Sequence, residues 1–395
     1  MRKKNLIILG STGTIGTQAL SLFDSTNLGE RYSVYGLCVF GKNLEMLLEQ
    51  VGKYHPARVV VFARNTALEL KRILAGRAEV LEGDAGTEAL VTDENTDVVL
   101  IAISGTAAIK PTYAACKAGK VILLANKESL VSAGEVLIKT AEQNGARIIP
   151  VDSEHNAVFQ ILKGTENAYI KQVLLTASGG PFLNYPKSEL RNVKPQQALS
   201  HPTWKMGPLI TINSATLMNK GQEIIEAHHL FRLPYEKIDA VIHPQAVIHS
   251  LVEFIDGSIM AQMSVPDMRI PLLYALTHPE RIEAPMPRLS LTELGSLTFL
   301  NVDPNRYPCY EIARIAAEKG GLAPAVMNAA NEIAVSFFLQ EKIRFTDIPV
   351  VIEKTLNELE KQNWSLRSIE DVYRADEWAK KTAVTFASTL ATEAV

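Results

Sequence analysis

Cysteine is scarce in this chain of 395 residues, and its spacing excludes a disulfide framework. The three cysteines, Cys38, Cys116 and Cys309, are single and far apart in the sequence. Disulfide-rich domains and zinc knuckles need paired or clustered cysteines. We therefore interpret these residues as ordinary thiols in a reducing compartment.

Long hydrophobic runs are missing as well. The longest apolar run near the middle of the first predicted domain, Val98 to Ile103, is far below the roughly 20 residues that cross a bilayer. The basic residues at positions 2–4 precede only Leu6 to Leu9 before a glycine turn, which is too short for the apolar core of a secretion signal. We expect a cytoplasmic protein without a membrane partner.

Charge of one sign is not concentrated anywhere in the chain. Lysine and arginine number 40 against 43 aspartates and glutamates, and the net charge is −3. No run of like charge suits a nucleic-acid backbone or an anionic membrane, so a small-molecule partner is favoured. Hydrophobic residues make up 47% of the sequence and can fill the cores of two or three domains.

The first 151 residues alternate short β-rich runs with helix-length segments. This alternation predicts a Rossmann-like, doubly wound parallel sheet for a nucleotide-binding domain. Asp152 follows the sixth predicted strand, and ligands bind at the carboxyl edge of such sheets. The predicted strands are Leu6 to Leu9, Tyr32 to Val39, Arg58 to Phe62, Asp97 to Ile103, Val121 to Ala125 and Arg147 to Val151.

The remaining sequence predicts three further parts. Residues 152–280 suit an α+β catalytic domain with a lid at about 200–213, residues 281–303 a linker containing proline, and residues 304–395 a helical bundle. The strands predicted for the catalytic domain are Val173 to Thr176, Leu209 to Ile212, Val247 to Phe254 and Ser258 to Met263. The helices predicted for the bundle are Tyr310 to Glu318, Ala325 to Gln340, Ile348 to Lys361 and Ser368 to Leu390.

A glycine-rich turn, Gly10 to Gly16, follows the first predicted strand. Glycines there let backbone N–H groups approach a pyrophosphate at a helix N-terminus. Near Lys42, after the second strand, no acidic residue is present for a ribose 2′-hydroxyl, and the lysine charge favours NADP over NAD. A turn that binds nothing and a solvated surface lysine are the alternatives.

Two carboxylates, Asp152 and Glu154, follow the sixth strand, and Glu223 is a third candidate. If the three met, each pair would repel by roughly 4 kcal/mol at about 4 Å and an effective dielectric near 20, so a cation or a proton must compensate. Ligands that offer only oxygen favour Mg²⁺ or Mn²⁺. For the first two acids, a helix cap with dipole partners is the alternative.

Other polar residues are candidates for substrate binding. Lys127 and its polar neighbours follow the fifth strand, where the start of a helix is the alternative. Lys220 and Glu223 are three apart and share a helical face, with a surface ion pair as the alternative. Ser178 and Ser214 would add small donors for a phosphate.

A loop with two prolines, residues 201–208, surrounds Trp204. We interpret it as a lid whose aromatic side chain covers a ligand and excludes water. A structural loop that holds the tryptophan in the core is the alternative. His155, His228 and His229 lack the spacing of a zinc motif, so packing or hydrogen bonding is expected for them.

Taken together, these segments resemble the 1-deoxy-D-xylulose-5-phosphate reductoisomerase family over nearly the whole chain. Each motif is weak alone, but their joint occurrence in this order is specific. The motifs are Gly10 to Gly16, Ala125 to Glu128, Val151 to His155, Ser178 to Phe182, His201 to Gly207, Ser214 to Gly221, His243 to Gln245, Pro266 to Arg269 and Asn328 to Glu332.

The resemblance implies a homodimer and a role for individual residues. Mg²⁺ or Mn²⁺ would be held by Asp152, Glu154 and Glu223. NADPH would contact Thr12, Gly13, Thr14, Ile15, Gly41, Lys42, Asn43, Asn126, Glu128 and Gly207. The substrate would meet Lys127, Ser153, Glu154, Ser178, His201, Ser214, Asn219, Lys220 and Glu223, with Trp204 and Met206 in the lid. The catalytic residues would be Lys127, Asp152, Glu154, His201 and Glu223.

The implied reaction converts 1-deoxy-D-xylulose 5-phosphate to 2-C-methyl-D-erythritol 4-phosphate in non-mevalonate isoprenoid biosynthesis. A metal-assisted retro-aldol and aldol rearrangement would precede reduction by NADPH. The sequence departs from the family's pattern at Thr14, Pro208-Leu209, Asn213 and His229. None of these is an inferred metal ligand.

Two other functions stay open at this point. A metal-independent NADP oxidoreductase of the same fold would keep its activity after removal of divalent ions. A nucleotide-sensing protein would not consume NADPH in the presence of the sugar phosphate. The complete set of Lys127, Asp152, Glu154, Lys220 and Glu223 argues against the second.

Overall fold

The computed structural model describes residues 2–40, 43–204, 206–283 and 285–393. The chain divides into two compact units. The first contains the chain up to Ser129 together with Leu137–Asn156 and Asp267–Pro287, and the second contains Leu130–Val136, Ala157–Pro266 and the chain from Arg288 onward. The domain borders expected at residues 151, 280 and 303 stay a prediction.

A seven-stranded parallel sheet forms the first unit. Its strands are β1 (Lys4–Leu9), β2 (Tyr32–Val39), β3 (Arg58–Val61), β4 (Glu79–Glu82), β5 (Val98–Ile101), β6 (Val121–Leu124) and β7 (Arg147–Pro150). They lie in the order β4-β3-β2-β1-β5-β6-β7, so the chain winds outward from β1 in both directions. The predicted doubly wound class is confirmed.

The sheet contains one strand that the sequence did not predict. All six expected strands are present, and β4 is added at one edge of the sheet. This strand has four residues and a glutamate at each end, so no apolar run marks it. Asp152 therefore follows the seventh strand, at the expected carboxyl edge.

Helices connect the parallel strands of the first unit. They are α1 (Thr14–Ser25), α2 (Leu28–Arg31), α3 (Leu44–Tyr54), α4 (Arg64–Ile73), α5 (Gly83–Thr92), α6 (Ile109–Lys117) and α7 (Lys127–Asn144). Helix α8 (Ser153–Ile161) follows β7, and its residues from Ala157 onward belong to the second unit. Strands in a parallel sheet need such crossovers, which explains the alternation in the sequence.

The second unit contains a mixed five-stranded sheet. Its strands are β8 (Ile170–Ala177), β9 (Ile238–Ile242), β10 (Ile248–Phe254), β11 (Ile259–Met263) and β12 (Leu300–Asn301). The order is β11-β10-β8-β9-β12, in which β8 and β9 are parallel and the other pairs antiparallel. Buried aliphatic residues of this sheet, including Val173, Leu175 and Val252, form the core.

The remaining helices include the predicted bundle, and one of them replaces a predicted strand. They are α9 (Pro195–Ala198), α10 (Pro208–Ala215), α11 (Met218–Phe231), α12 (Arg269–Thr277), α13 (Leu291–Leu294), α14 (Pro308–Lys319), α15 (Ala323–Leu339), α16 (Ile348–Leu359) and α17 (Ile369–Glu393). The predicted strand Leu209 to Ile212 is wrong, because these residues lie in α10. A short apolar run fits either structure, and Pro208 at the first helical position decides for a helix.

Helix α12 returns the chain to the first unit. The Tyr32 hydroxyl donates to the Leu276 carbonyl oxygen over 2.6 Å, and Arg31 pairs with Glu280 at 2.7 Å. No local sequence pattern predicts such a return, since it depends on contacts across more than half of the chain. None of the described helices combines the length and the apolar character that crossing a membrane requires.

The glycine-rich turn brings β1 and α1 into close backbone contact. Gly10 has φ +95°, and a Cβ atom there would lie 2.5 Å from the Ala102 carbonyl oxygen. A Cβ atom on Gly16 would lie 2.3 Å from the Gly10 carbonyl oxygen. Only glycine fits at these two positions, so the turn is built for close approach of the backbone.

We expect Gly16→Ala to destabilise the protein, because the new methyl group must displace backbone atoms. The loss should be about 1–3 kcal/mol or more in the free energy of unfolding measured by denaturant titration. Gly52→Ala in α3 is the control, since nothing lies within 4 Å of its added Cβ. That substitution should stabilise by about 0.5–1 kcal/mol. Equal effects at the two sites would contradict the close approach.

Candidate active site

The start of α1 lies beside the glycine turn and has no side-chain cap among the described residues. Gly13 precedes the helix, no side chain of the described residues caps it, and Thr12, Thr14 and Ile15 complete the turn. Such a helix start suits a pyrophosphate. Asn43 lies at the start of α3, where its side chain accepts from the Met46 N–H at 3.3 Å. Gly41 and Lys42, on which the preference for NADP depends, lie outside the described residues.

A lysine and an aspartate form the polar centre of the first unit. Lys127 starts α7 and Asp152 follows β7, and the Nζ atom lies 3.0 Å from Oδ2. Burial alone would raise the pKa of Asp152, but the charges of Lys127 and of His155 hold it well below its usual range. The Ser153 hydroxyl donates to the neighbouring Glu154 carboxylate. This edge of the sheet therefore holds an ionised carboxylate next to a lysine.

Asn126 organises the loop in front of Lys127. Its side-chain oxygen accepts from the Ser129 N–H at 2.8 Å, which caps α7, and its amide nitrogen donates to Glu128 at 2.7 Å. Burial raises the pKa of Glu128. The alternative of a helix start is therefore correct for Asn126, and its contact with a cofactor stays a prediction.

The second unit contains its own pairing of a lysine with an acid. On α11, Lys220 forms an ion pair with Glu223, and Asn219 donates to the same carboxylate. The side chains of Lys220 and Glu223 are 3% and 1% exposed, so the alternative of a surface ion pair is wrong. Gly221 between them allows close helix packing, because a Cβ atom there would lie 2.3 Å from the Ala313 Cβ of α14.

His201 connects two serines of the second unit. Its Nε2 atom lies 3.1 Å from both the Ser178 and the Ser214 hydroxyl oxygens. Its Nδ1 atom accepts from the backbone N–H groups of Thr203 and Trp204, at 3.1 and 2.9 Å. Since Nδ1 is an acceptor, the proton of the neutral ring is on Nε2. Burial lowers the pKa of His201, which favours this neutral form.

The two serines can therefore use their own protons elsewhere. Ser178 accepts from the Gly180 N–H at 3.2 Å and lies within reach of the proton on His201 Nε2. A hydroxyl that accepts in these directions keeps its hydrogen for another partner. The Gly180 backbone also packs tightly on α10, since a Cβ atom there would lie 2.9 Å from the Ser214 carbonyl oxygen. Serine donors next to a positive-φ glycine loop suit an anion.

The residues of the expected lid are only partly buried. Trp204 and Met206 are of intermediate exposure, and Gly207 is exposed at the start of α10. A tryptophan held in the core would be buried, so the structure does not support that alternative. Closure over a ligand stays a prediction.

Histidines 228 and 229 pack within the second unit. His228 stacks on Tyr235 with 4.1 Å between ring centroids, and its Nδ1 atom lies 2.7 Å from the Leu233 carbonyl oxygen. His229 lies against Gly134, where a Cβ atom would come within 2.1 Å of its ring. Burial, and then the neighbouring His228, lower the pKa of His229 from 6.5 to about 3.

The depressed pKa of His229 predicts loss of stability in acid. Between pH 6.5 and about 3, the unfolded chain binds a proton at this ring and the folded chain does not. The free energy of unfolding therefore falls as the pH drops through this window. At pH 5 this one residue should account for a loss of about 2 kcal/mol relative to neutral pH. Denaturant titrations at pH 7 and pH 5 should show a smaller fall for His229→Phe. The exposed control His55→Asn should behave as the wild type, and an unchanged fall in His229→Phe would rule out the assignment.

The parallel sheet, the glycine turn and the polar carboxyl edge define a dinucleotide-binding protein. Three family models match the chain: 1-deoxy-D-xylulose 5-phosphate reductoisomerase at residues 6–134, its C-terminal domain at 148–231, and the DXP reductoisomerase C-terminal domain at 263–382. The chain belongs to this family.

Full-length relatives agree with the family models. The chain is 45% identical to the reductoisomerase of Crocosphaera subtropica, and the alignment covers 99% of this chain and 98% of the relative. It is 48% identical to the reductoisomerase of Geobacter metallireducens, and that alignment covers 96% of this chain and 97% of the relative. Among solved structures, the Zymomonas mobilis enzyme in complex with NADPH has a TM-score of 0.92 at 40% identity and covers 98% of this chain and 100% of its own. A reductoisomerase complex with NADPH, fosmidomycin and magnesium has a TM-score of 0.91 at 40% identity, covering 98% and 99%.

The sequence did not reveal the role of several polar groups around these residues. The backbone N–H groups of Gly180, Thr203 and Trp204 orient Ser178 and His201, yet backbone groups leave no signal in residue types. Asn213 and Gln222 precede Ser214 and Glu223 and are buried. Buried amides beside candidate site residues would have been the signal, but burial is visible only in the structure.

Proposed function

We propose that this chain converts 1-deoxy-D-xylulose 5-phosphate to 2-C-methyl-D-erythritol 4-phosphate with NADPH and a divalent metal ion, Mg²⁺ or Mn²⁺. The observation that carries the proposal is the match of the reductoisomerase family to three stretches of the chain, from residue 6 to residue 382. The lysine and carboxylate pairs of both units lie within or next to these stretches.

The residues present fit both NADPH and a divalent metal ion. The turn from Gly10 to Gly16 forms a backbone cradle that a Cβ atom would fill, as a pyrophosphate site requires. Asp152, Glu154 and Glu223 offer only oxygen donors, as Mg²⁺ and Mn²⁺ prefer, and they would hold the ion together. When bound, the ion supplies stabilisation of negative charge on substrate oxygens, and NADPH supplies the reducing equivalent.

The remaining side chains would hold the substrate. Ser178 and Ser214 keep hydroxyl protons for a phosphate, with Asn219 and Lys220 as further donors. Lys127 keeps Asp152 ionised and brings a positive charge to the carboxyl edge of the sheet. A phosphate anchor is needed because the rearrangement breaks a carbon–carbon bond, and both fragments must stay in place until they rejoin. Trp204 would exclude water over them.

The direct test mixes the purified protein with NADPH, 1-deoxy-D-xylulose 5-phosphate and Mg²⁺ and follows the absorbance of NADPH. We expect consumption that stops on chelation of the metal and returns with Mg²⁺ or Mn²⁺. Activity without any divalent ion would favour a metal-independent oxidoreductase. No consumption at all would favour a nucleotide-sensing protein.

Glu223→Gln should damage catalysis more than folding. The amide keeps the size of the side chain and can still accept from Lys220, but it loses the charge that a metal ion needs. Loss of several kcal/mol of metal-dependent stabilisation corresponds to a fall in turnover of about 100-fold or more. Steady-state kinetics across Mg²⁺ concentrations measures the fall, and thermal unfolding checks the fold. Glu236→Gln is the control, because Glu236 is exposed in a short 3-10 helix that follows α11. Turnover equal to the wild type in Glu223→Gln would remove the glutamate from the metal site.

We further propose a homodimer, as the family resemblance implies, and a reducing cytoplasmic compartment. The dimer is supported by β11, a strand at the end of its sheet, in which Ile259 and Met260 are 56% and 55% exposed. Apolar side chains on an edge strand favour pairing with another chain. The compartment is supported by Cys38, Cys116 and Cys309, which are free and buried.

Met260→Asp should weaken the dimer, because pairing would bury the new charge. Sedimentation at several protein concentrations should show a mainly monomeric species where the wild type is dimeric. Leu68→Asp is the control, since Leu68 is 51% exposed on α4 of the first unit. A dimer that is equally stable in both variants would place the interface elsewhere.

A further inference from the structure

A chain of buried side-chain amides runs through the second unit behind two residues of the proposed site. Asn331 donates to Asn213 at 2.9 Å, Asn213 to Gln222 at 3.5 Å, and Gln222 to Asn328 at 2.8 Å. All four side chains are at most 4% exposed. The chain joins α10, α11 and α15, three helices that are separate in the sequence.

The amide chain ends on a charged group. Asn328 donates to the Glu332 carboxylate at 3.3 Å, and Lys380 of α17 lies 3.0 Å from Glu332 and 2.9 Å from Asp376. Burial alone would lower the pKa of Lys380, but the carboxylates of Glu332 and Asp376 raise it, so the lysine stays charged. Glu332 therefore forms an ion pair with a charged lysine.

The charge of Glu332 sets the direction of every hydrogen bond in the chain. An ionised carboxylate accepts and cannot donate, so Asn328 must turn its NH₂ group toward it. The Asn328 oxygen then faces Gln222, so Gln222 must donate its NH₂ group to it. For the same reason Asn213 must donate to Gln222, and Asn331 must donate to Asn213. With a neutral group at position 332, either direction would be open. A buried amide facing the wrong way would leave unpaired groups, each costing about 1–3 kcal/mol.

The amide chain holds the residues directly before Ser214 and Glu223. Asn213 precedes Ser214 on α10, and Gln222 precedes Glu223 on α11. Neighbouring residues on a helix point about 100° apart, so a rotation of α11 that moved the Glu223 carboxylate would also break the contacts of Gln222. The Gly221 contact with Ala313 packs the same helix against α14.

We propose that Asn213, Gln222, Asn328 and Asn331, oriented by Glu332 and Lys380, are positioning residues that fix Glu223 for metal binding and Ser214 for phosphate binding. This inference rests on the proposed function, because it assigns the purpose of the amide chain from the roles of Glu223 and Ser214. If the amide chain were purely structural, breaking it would lower stability alone. A positioning chain must also affect metal affinity.

The test measures Mn²⁺ binding to the purified full chain without substrate, together with NADPH binding and thermal unfolding. Gln222→Leu removes the central link, and Glu332→Gln removes the orienting charge while keeping the size of the side chain. We expect the Kd for Mn²⁺ to rise about tenfold in each, equivalent to about 1.4 kcal/mol, with the Kd for NADPH within about twofold of the wild type. Glu332→Asp keeps a carboxylate, so it should lie closer to the wild type than Glu332→Gln.

Glu377→Gln is the matched control, because it removes an acid from the same helix as Lys380. Glu377 pairs with Lys381 on the surface, with side-chain exposures of 72% and 74%. Wild-type Mn²⁺ affinity in folded Gln222→Leu and Glu332→Gln would overturn the proposal, even if both melted at lower temperature. An equal loss in Glu377→Gln would overturn it too, since the effect would be a general loosening.

Two further results separate this proposal from the proposed function. If Gln222→Leu does not fold, Glu332→Gln and Glu332→Asp decide between positioning and a structural role. If the wild type neither binds Mn²⁺ nor consumes NADPH with the sugar phosphate, the proposed function itself fails and this inference falls with it. A wild type that is active and variants that bind Mn²⁺ normally would remove the positioning role alone.

Discussion

A buried carboxylate needs a positive charge beside it, and this requirement shapes both units of the protein. In the first unit Lys127 lies 3.0 Å from Asp152, and in the second Lys220 pairs with Glu223. A lone ionised carboxylate in such surroundings would take up a proton, since burial favours the neutral form. In the first unit the charge of Lys127 holds the pKa of Asp152 below its usual range, so this carboxylate is anionic. In the second unit the ammonium group of Lys220 lies against the buried carboxylate of Glu223.

Close backbone contact is the second condition, and it explains the glycines. Gly16 lets α1 meet the turn after β1, and Gly221 lets α11 meet α14. The first contact leaves backbone N–H groups at a helix start for a pyrophosphate, and the second holds the helix that has Lys220 and Glu223. A methyl group at either position would move a helix by a fraction of an ångström or more. Metal and phosphate sites depend on such distances, because their ligands must converge on a single point.

Residue types and spacing predicted the parts of the fold that depend on local pattern. The alternation of apolar runs with helical segments predicted six parallel strands, and Asp152 was placed at the correct edge of the sheet. The strand expected at Leu209 to Ile212 is part of α10, because a run of four residues with three apolar side chains is too short to show a period. Strand β4 and the return of α12 to the first unit were missed, since a short charged strand and a long-range contact leave no local signal. The tautomer of His201 depends on two backbone N–H groups, and the residue types in the sequence do not reveal such backbone contacts.

The amide chain shows why a motif can be recognised before its purpose is understood. The segment Asn328 to Glu332 contributed to the family resemblance, but no role was assigned to it. It is far in the sequence from the residues of the proposed site. In the structure, Asn331 reaches Asn213 and Asn328 reaches Gln222, each directly before a residue of the proposed site. Buried amides that donate one to the next must adopt one common direction, and a charged end removes the choice. A helix bundle far along the chain can thus constrain the geometry of a site built by other helices, through hydrogen-bond direction rather than through contact with a ligand.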